Sequence, residues 1–281
     1  MELSLSTHLF AFREIDEEIA SLPGRFGFSA VEIWAMPPHF PYADPKAADA
    51  VISRFARHGT RVASLHAPLY PDVRSYKKDR WYSLSSGEES HRAASVAATA
   101  EAGRRLGGNG GGIYVLHTHF PAEEWYPERR ENFLRSLDAL LQAIPPNVRL
   151  AVENTPLPSG DIPILLDLVR DYPADRVGIC LDLGHAHLGG DVLSALRAAA
   201  PRLIHLHVSD NRGERDDHLV PGRGTIPWEQ AVAALSEIGF DGAFTLELRD
   251  FTRGDSPLYR NFEEILAECR GALDRYLDEG G

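Results

Sequence analysis

Eight short apolar runs recur from one end of this chain to the other, and six of them end within a residue or two of a His, Asp or Glu. The runs are Leu3 to Ser6, Val31 to Ala35, Arg61 to His66, Gly112 to His117, Arg149 to Glu153, Val177 to Asp182, Leu203 to Val208 and Ala243 to Leu248. Their length and β-branched content suit strands buried on both faces. Longer helical patterns, such as Glu88 to Leu106 and Glu128 to Ile144, lie between them, so the repeat is a βαβ unit. Eight such units predict a closed (β/α)8 barrel, the TIM barrel. A doubly wound open sheet fits less well: no GxGxxG turn follows the first run, and edge strands would be more polar. No low-complexity linker divides the chain, and residues 1–281 read as a single barrel domain.

The terminal residues of those runs carry the functional signal. A buried parallel strand should be apolar throughout, yet His66, His117, Glu153, Asp182, His207 and Glu247 stand at or near strand ends. Side chains alternate faces along a strand, so His66 shares a face with Ser64, Glu153 with Ala151, Asp182 with Cys180 and Glu247 with Thr245. Small neighbours suit a crowded barrel interior, while the opposite parity (Leu150, Val152, Leu181, Leu246) is bulky and suits contact with the helices. The polar ends therefore converge at the C-terminal mouth, where this fold places its chemistry.

Glu153, Asp182, His207 and Glu247 would set three carboxylates and an imidazole around one point. Buried carboxylates repel one another unless a cation holds them. The donor set suits a divalent metal: Mn2+, Mg2+, Fe2+, Co2+ or Zn2+. Around it, His66, His117, His185, Asp216 and His218 are either further metal ligands or groups that hydrogen-bond a substrate. His205 shares the inward face with His207 one layer deeper and reads as a barrel-core residue. His8 is placed to line the pocket, His119 and His187 lie just beyond it, and His39, His58 and His91 are expected at the surface. Trp34 and Trp125 follow strand ends, where they could bound a sugar ring or pack under a loop. Glu32 either reaches the pocket or pairs at the barrel rim. Arg212 and Arg215 could hold a substrate oxygen. The turn Pro221 to Gly224 is either a phosphate cradle or simply a tight loop.

The formal charge of −12 and pI near 5.4 repel a polyanion over most of the surface and argue against a nucleic-acid partner. One local exception is the group Arg74, Lys77, Lys78, Arg80, Trp81 and Tyr82, which is either a phosphate- or ring-binding loop or a solvated one. Cys180 and Cys269 match no metal or redox spacing and are expected as free thiols in a reducing cytoplasm. The Met1-Glu2-Leu3-Ser4 start has no basic and apolar leader pattern, and no membrane-spanning run is expected.

Several segments resemble the sugar phosphate isomerase/epimerase family of the xylose isomerase-like barrel superfamily, which also includes endonuclease IV. They are Leu65-His66-Ala67-Pro68, Val152-Glu153-Asn154-Thr155, Leu181-Asp182-Leu183-Gly184-His185, His207-Val208-Ser209-Asp210-Asn211 and Asp217-His218-Leu219-Val220-Pro221-Gly222-Arg223-Gly224-Thr225-Ile226. The resemblance implies a metal-dependent isomerase or epimerase acting on a small carbohydrate-like substrate. Glu153, Asp182, His207 and Glu247 would hold the metal, Glu153 and Glu247 would be the acid/base pair, and His185 would touch a substrate hydroxyl. Trp34 and Arg215 are the expected substrate contacts. The rival implication is an endonuclease IV-like zinc-dependent phosphodiester hydrolase acting on abasic DNA, for which His66, His117, His185, Asp216 and His218 would complete a three-zinc site. The Ser-Asp-Asn-Arg-Gly-Glu-Arg wording after the seventh run follows the isomerase branch, and one tightly bound metal is expected.

Overall fold

The computed structural model describes residues 1–118, 124–156, 160–249 and 261–278. Eight parallel strands close on themselves in sequence order, β1 bonding to both β2 and β8. They are β1 (Glu2–Ser6), β2 (Ala30–Trp34), β3 (Arg61–His66), β4 (Gly112–Leu116), β5 (Val148–Glu153), β6 (Val177–Asp182), β7 (Leu203–Val208) and β8 (Ala243–Leu246). The boundaries lie within two residues of those expected from sequence. The largest difference is at β8, which stops at Leu246 although Glu247 N still bonds Val208 O at 2.9 Å.

The outer ring comprises α1 (Glu17–Arg25), α2 (Pro45–Arg57), α3 (Val73–Tyr76), α4 (Glu89–Gly108), α5 (Pro127–Ala143), α6 (Ile162–Val169), α7 (Leu183–Leu188), α8 (Val192–Ala199), α9 (Trp228–Glu237) and α10 (Phe262–Asp278). Local chemistry starts several of them. Asp16 accepts a bond from Ile19 N at 2.9 Å before α1, and Asp44 caps α2, whose first residue is a proline. Asp182 is at once the last residue of β6 and the cap of α7, accepting from His185 N at 2.6 Å. That double role ties the orientation of the Asp182 carboxylate to the start of the next helix.

The strand alternation separates two cores. Leu5, Val31, Ile33, Leu65, Leu116, Leu150, Val152, Ile179, Leu181 and Leu246 face outward into the main apolar core beneath the helices. Val115, Ala151 and Cys180 form a small cluster of their own in the barrel interior, with Ile113 and Ile204 against it. Ser4, Ser6, Ser64 and Thr245 are fully buried on that inner side. Small inner residues leave room for the larger polar ones at the mouth. Among the described residues, no helix is long and apolar enough to cross a membrane.

Candidate metal centre at the barrel mouth

The register stacks polar side chains in two tiers. Asp182 is level with His207 across β6 and β7, and His207 with Thr245 across β7 and β8. Beneath His207 lies Glu32 of β2, fully buried, with Ser6 Oγ at 3.4 Å and His205 Nε2 at 3.0 Å from its carboxylate oxygens. His207 Nε2 lies 3.0 Å from Glu32 Oε1, in a close but bent contact. The other ring nitrogen looks upward: His207 Nδ1 is 3.1 Å from Glu153 Oε1 and 3.4 Å from Glu247 Oε2. One imidazole thus joins the closed interior to the open mouth.

Two more groups flank this one. On the β3 and β4 side, Glu153 Oε2 meets His117 Nε2 at 2.9 Å and His66 Nε2 at 3.3 Å. The His66 ring is fixed from behind by its Nδ1 donating to Ala67 O at 2.9 Å. On the β6 to β8 side, Asp216 Oδ2 lies 3.0 Å from His218 Nε2 and 3.6 Å from His185 Nε2. The back nitrogens are again occupied, His218 Nδ1 by Glu247 O at 2.9 Å and His185 Nδ1 by Asn154 O at 2.8 Å. Backbone acceptors that hold one ring nitrogen leave the other aimed into the mouth. His8 closes the ring of side chains, with Nδ1 3.4 Å from Glu247 Oε1 and its ring 4.7 Å from that of Trp34.

Burial and mutual charge set the ionisation of these groups. Burial works against the Glu153 and Glu247 carboxylates, but His207, aided by His117 at Glu153 and by His8 at Glu247, holds both down, Glu247 to about 2. Against the cost of burial, neighbouring carboxylates raise His66, His185 and His207, and Asp216 raises His218 to about 9. Asp182 goes the other way. Burial pushes it up, His185 opposes, and the charges of Glu153 and Glu247 add to the rise, leaving it at about 6. Imidazolium protons therefore compensate part of the negative charge, and Asp182 is the carboxylate they serve least.

That shortfall tests the fit of a cation. Asp182 Oδ2 is buried and has no hydrogen-bond partner among the described residues. An unpartnered carboxylate oxygen in a dry site is costly unless a positive charge meets it. Carboxylate and imidazole donors are the set a divalent metal takes. Donor atoms lie within 4.8 Å of one another in the group His66, His117, Glu153 and in the group His185, Asp216, His218. The residues present fit a metal.

All but one of the side chains expected at the site come together here: Trp34, His66, His117, Glu153, Asp182, His185, His207, Asp216, His218 and Glu247. Arg215 does not. Its side chain is 80% exposed, and its only described ion pair is with Asp217 at 3.5 Å, because the loop after β7 turns it to solvent. Arg212 is likewise exposed, bonding Arg223 O. Trp125 packs against the main core, so of its two sequence readings the packing one applies. His187 bonds Thr225 Oγ1, and His119 lies outside the described residues. His58 is exposed as expected, but His39 is fully buried, bridging Arg13 O and Thr7 Oγ1 at 2.7 Å each, and His91 is half-buried on Trp81 O and Ser86 Oγ. Surface placement of those two fails because specific polar partners draw each ring inward, and polar–apolar alternation does not reveal such pairings.

Three residues gain roles that the sequence reading did not give them. Asn154 clamps Asp182, accepting from its N at 2.6 Å and donating to its O at 3.0 Å. Arg249, just beyond β8, donates to Asp216 O at 2.7 Å. Asp210 is fully buried and gathers the loop that carries Asp216 and His218: its carboxylate accepts from Asn211 N, Gly222 N, Ile226 N and Trp228 Nε1 at 2.8–3.2 Å. The turn from Pro221 to Gly224 therefore cradles the chain's own carboxylate. Gly222 sits there at φ +88°, a conformation glycine adopts without strain.

Comparison with known proteins gives a consistent setting. The family described as "Xylose isomerase-like TIM barrel" matches residues 24–269. The protein MJ1311 of Methanocaldococcus jannaschii is 29% identical over 170 residues, 56% of this chain and 58% of that one. D-psicose 3-epimerase of Ruminiclostridium cellulolyticum is 32% identical over 115 residues, 40% of this chain and 36% of that enzyme. The alignments thus span little more than half the length of the curated relatives, or less. Among solved structures, a D-tagatose 3-epimerase-like protein superposes with a TM-score of 0.80 at 23% identity, covering 100% of this chain and 98% of that one. IOLI protein with a bound zinc atom superposes with a TM-score of 0.71 at 20% identity, covering 100% and 99%. These superpositions establish the shared fold.

Proposed function

We propose, from the premise that this chain belongs to the xylose isomerase-like TIM barrel family, that it is a metal-dependent isomerase or epimerase of a sugar, a sugar phosphate or a related polyhydroxy carbonyl compound. The observation that carries this reading is the convergence of Glu153, the last residue of β5, and Glu247, the first residue after β8, on His207 Nδ1, at 3.1 and 3.4 Å. Two carboxylates that approach one point from different strands can address two sides of a molecule held between them. The epimerase relatives point the same way.

Glu153, Asp182, His207 and Glu247 would hold the divalent cation, drawn from Mn2+, Mg2+, Co2+, Fe2+ and Zn2+. Bound there, it would supply positive charge against the substrate carbonyl and the negative charge that develops on it. The chain's own groups move the proton. One glutamate carboxylate removes it from the carbon beside the carbonyl. Return by the second glutamate to the opposite face of that carbon gives the epimer, and return to the former carbonyl carbon, with the hydroxyl proton passing from one oxygen to the other, gives the isomer. His185 and His66 face the mouth with one nitrogen each and can orient hydroxyl groups. Trp34, its ring tilted against that of His8, offers a flat apolar wall to the sugar carbons.

Reaction in deuterated water tests this directly. A panel of ketoses, ketose phosphates and inosose-type cyclitols, each with several metals, should yield one product carrying deuterium on the carbon next to the carbonyl. Turnover without solvent deuterium would refute proton transfer by the glutamates. Chelator should abolish turnover and lower the melting temperature.

A second reading has its own observation. The flanking groups His66, His117, Glu153 and His185, Asp216, His218 are each close enough to hold an ion, which suits a phosphodiester hydrolase with several metals. Elemental analysis with anomalous scattering decides between them. One tightly held ion supports the isomerase, whereas two or three within about 5 Å of one another would favour hydrolysis, with abasic-site DNA as the first substrate to try.

A further inference from the structure

His207 has two faces, and a metal can use only one of them. Nδ1 points to Glu153 Oε1 and Glu247 Oε2, while Nε2 points to Glu32 Oε1 at 3.0 Å. The ring is fully buried, so no bulk water reaches either nitrogen. For Nδ1 to serve as a ligand it must present its lone pair, and the proton of the neutral ring must then sit on Nε2. A carboxylate at Nε2 favours that placement. Without one, the proton would be better placed on Nδ1, facing Glu153, where it occupies the ligand position.

Glu32 is built for this task rather than for substrate. Both of its oxygens are engaged inside the barrel, Oε1 by Ser6 Oγ and His207, Oε2 by His205 Nε2 at 3.0 Å. His205 is in turn 3.4 Å from Thr245 Oγ1. These partners fix the carboxylate from two strands besides its own, β1 and β7, and Thr245 of β8 holds His205 in turn. A charged glutamate in a barrel interior is expensive, and an apolar residue would fill the space at less cost if packing were its only purpose.

We infer that Glu32 is a positioning residue for the metal centre, holding the His207 proton on Nε2 so that Nδ1 is a ligand, with His205 locking the Glu32 carboxylate in place. The inference rests on the metal reading of the preceding subsection. It differs from both sequence readings of Glu32, at the pocket or at the rim, because the residue lies beneath the ligand tier.

Zinc alone is the probe. Competition of wild-type protein and Glu32→Gln against a fluorescent chelator should show zinc affinity lowered about 10- to 100-fold by the substitution. His205→Gln leaves the Glu32 carboxylate in contact with His207 and should lower affinity less. A folded Glu32→Gln protein that binds zinc as tightly as wild type overturns the inference while leaving the metal reading intact. Wild-type protein that takes up no zinc or other divalent ion defeats both. Should Glu32→Gln fail to fold, nitrogen-15 histidine spectra of zinc-loaded wild type decide. The His207 signals must show a protonated Nε2 and a metal-bound Nδ1; an unprotonated Nε2 overturns the assignment.

Discussion

Two tiers of the same barrel, one residue layer apart, treat buried charge in opposite ways. In the lower tier the single carboxylate of Glu32 faces two imidazoles, and burial is outweighed by His207 and His205, so its pKa is held well below the ordinary carboxylate range. In the upper tier carboxylates crowd one another, and Asp182 is raised to about 6 with one oxygen unpartnered. The lower tier meets its carboxylate charge from within the chain, His205 and His207 each standing 3.0 Å from a Glu32 oxygen. The upper tier is stable only at a cost that an added cation would remove. A scaffold and a binding site can therefore be told apart by whether their charges balance internally.

Neutralising the upper tier should separate function from folding most sharply. Glu247→Gln is expected to lower turnover about 10²- to 10⁴-fold, equivalent to about 3–5 kcal/mol in barrier, in a protein that still folds in chelator although it loses the pairing of that carboxylate with His207 and His8. A mutant that keeps full activity would remove Glu247 from the acid/base pair. Steady-state kinetics and thermal melts make the comparison.

Charge company, more than burial, is what distinguishes His207 from His39. Both are fully buried, but carboxylates raise His207, whereas burial lowers His39 to about 4, its ring meeting the neutral acceptors Arg13 O and Thr7 Oγ1 and no described carboxylate. His39 is neutral when folded, and the unfolded chain takes up its proton near pH 6.5. Its contribution to stability is complete above pH 6.5 and is lost as pH falls toward 4. Urea unfolding at pH 7.5 and pH 4.5 should therefore show a loss of about 2–3 kcal/mol that is absent in His39→Gln. An equal loss in the variant would mean that other groups dominate the acid side.

Asp182→Asn should sharpen the contrast between tiers at lower magnitude. Removing a buried, poorly served charge is expected to stabilise the protein in chelator by about 1–3 kcal/mol while weakening metal uptake; a drop in both would show that the carboxylate is structural. The smallest effect is reserved for Arg215→Ala. With its guanidinium in solvent, stability should shift by less than about 0.5 kcal/mol, and an unchanged KM would confirm that this arginine does not touch substrate.

The barrel and the mouth were legible because both are written in local alternation. The parity that buries Leu150 and Val152 under the helices also turns Ala151 and Glu153 inward, so a reader of β5 alone can place its last residue at the site. The motif loop from Ser209 to Ile226 was recognisable as a segment, but its organisation around Asp210 was not, since the Asp210 carboxylate collects donors up to eighteen residues away.

What the amino-acid order determined by itself was periodicity: eight strands, inward small residues, and ligand-type side chains at the C-terminal ends. What only the closed barrel decided was depth and partnership. Glu32 meets His205 across 173 positions of sequence, and His39 reaches Thr7 across 32. Alternation tells which face a side chain takes, because it repeats every two residues. The height at which two strands place their side chains depends on the stagger of the ladder around the barrel, and that stagger exists only once all eight strands have closed.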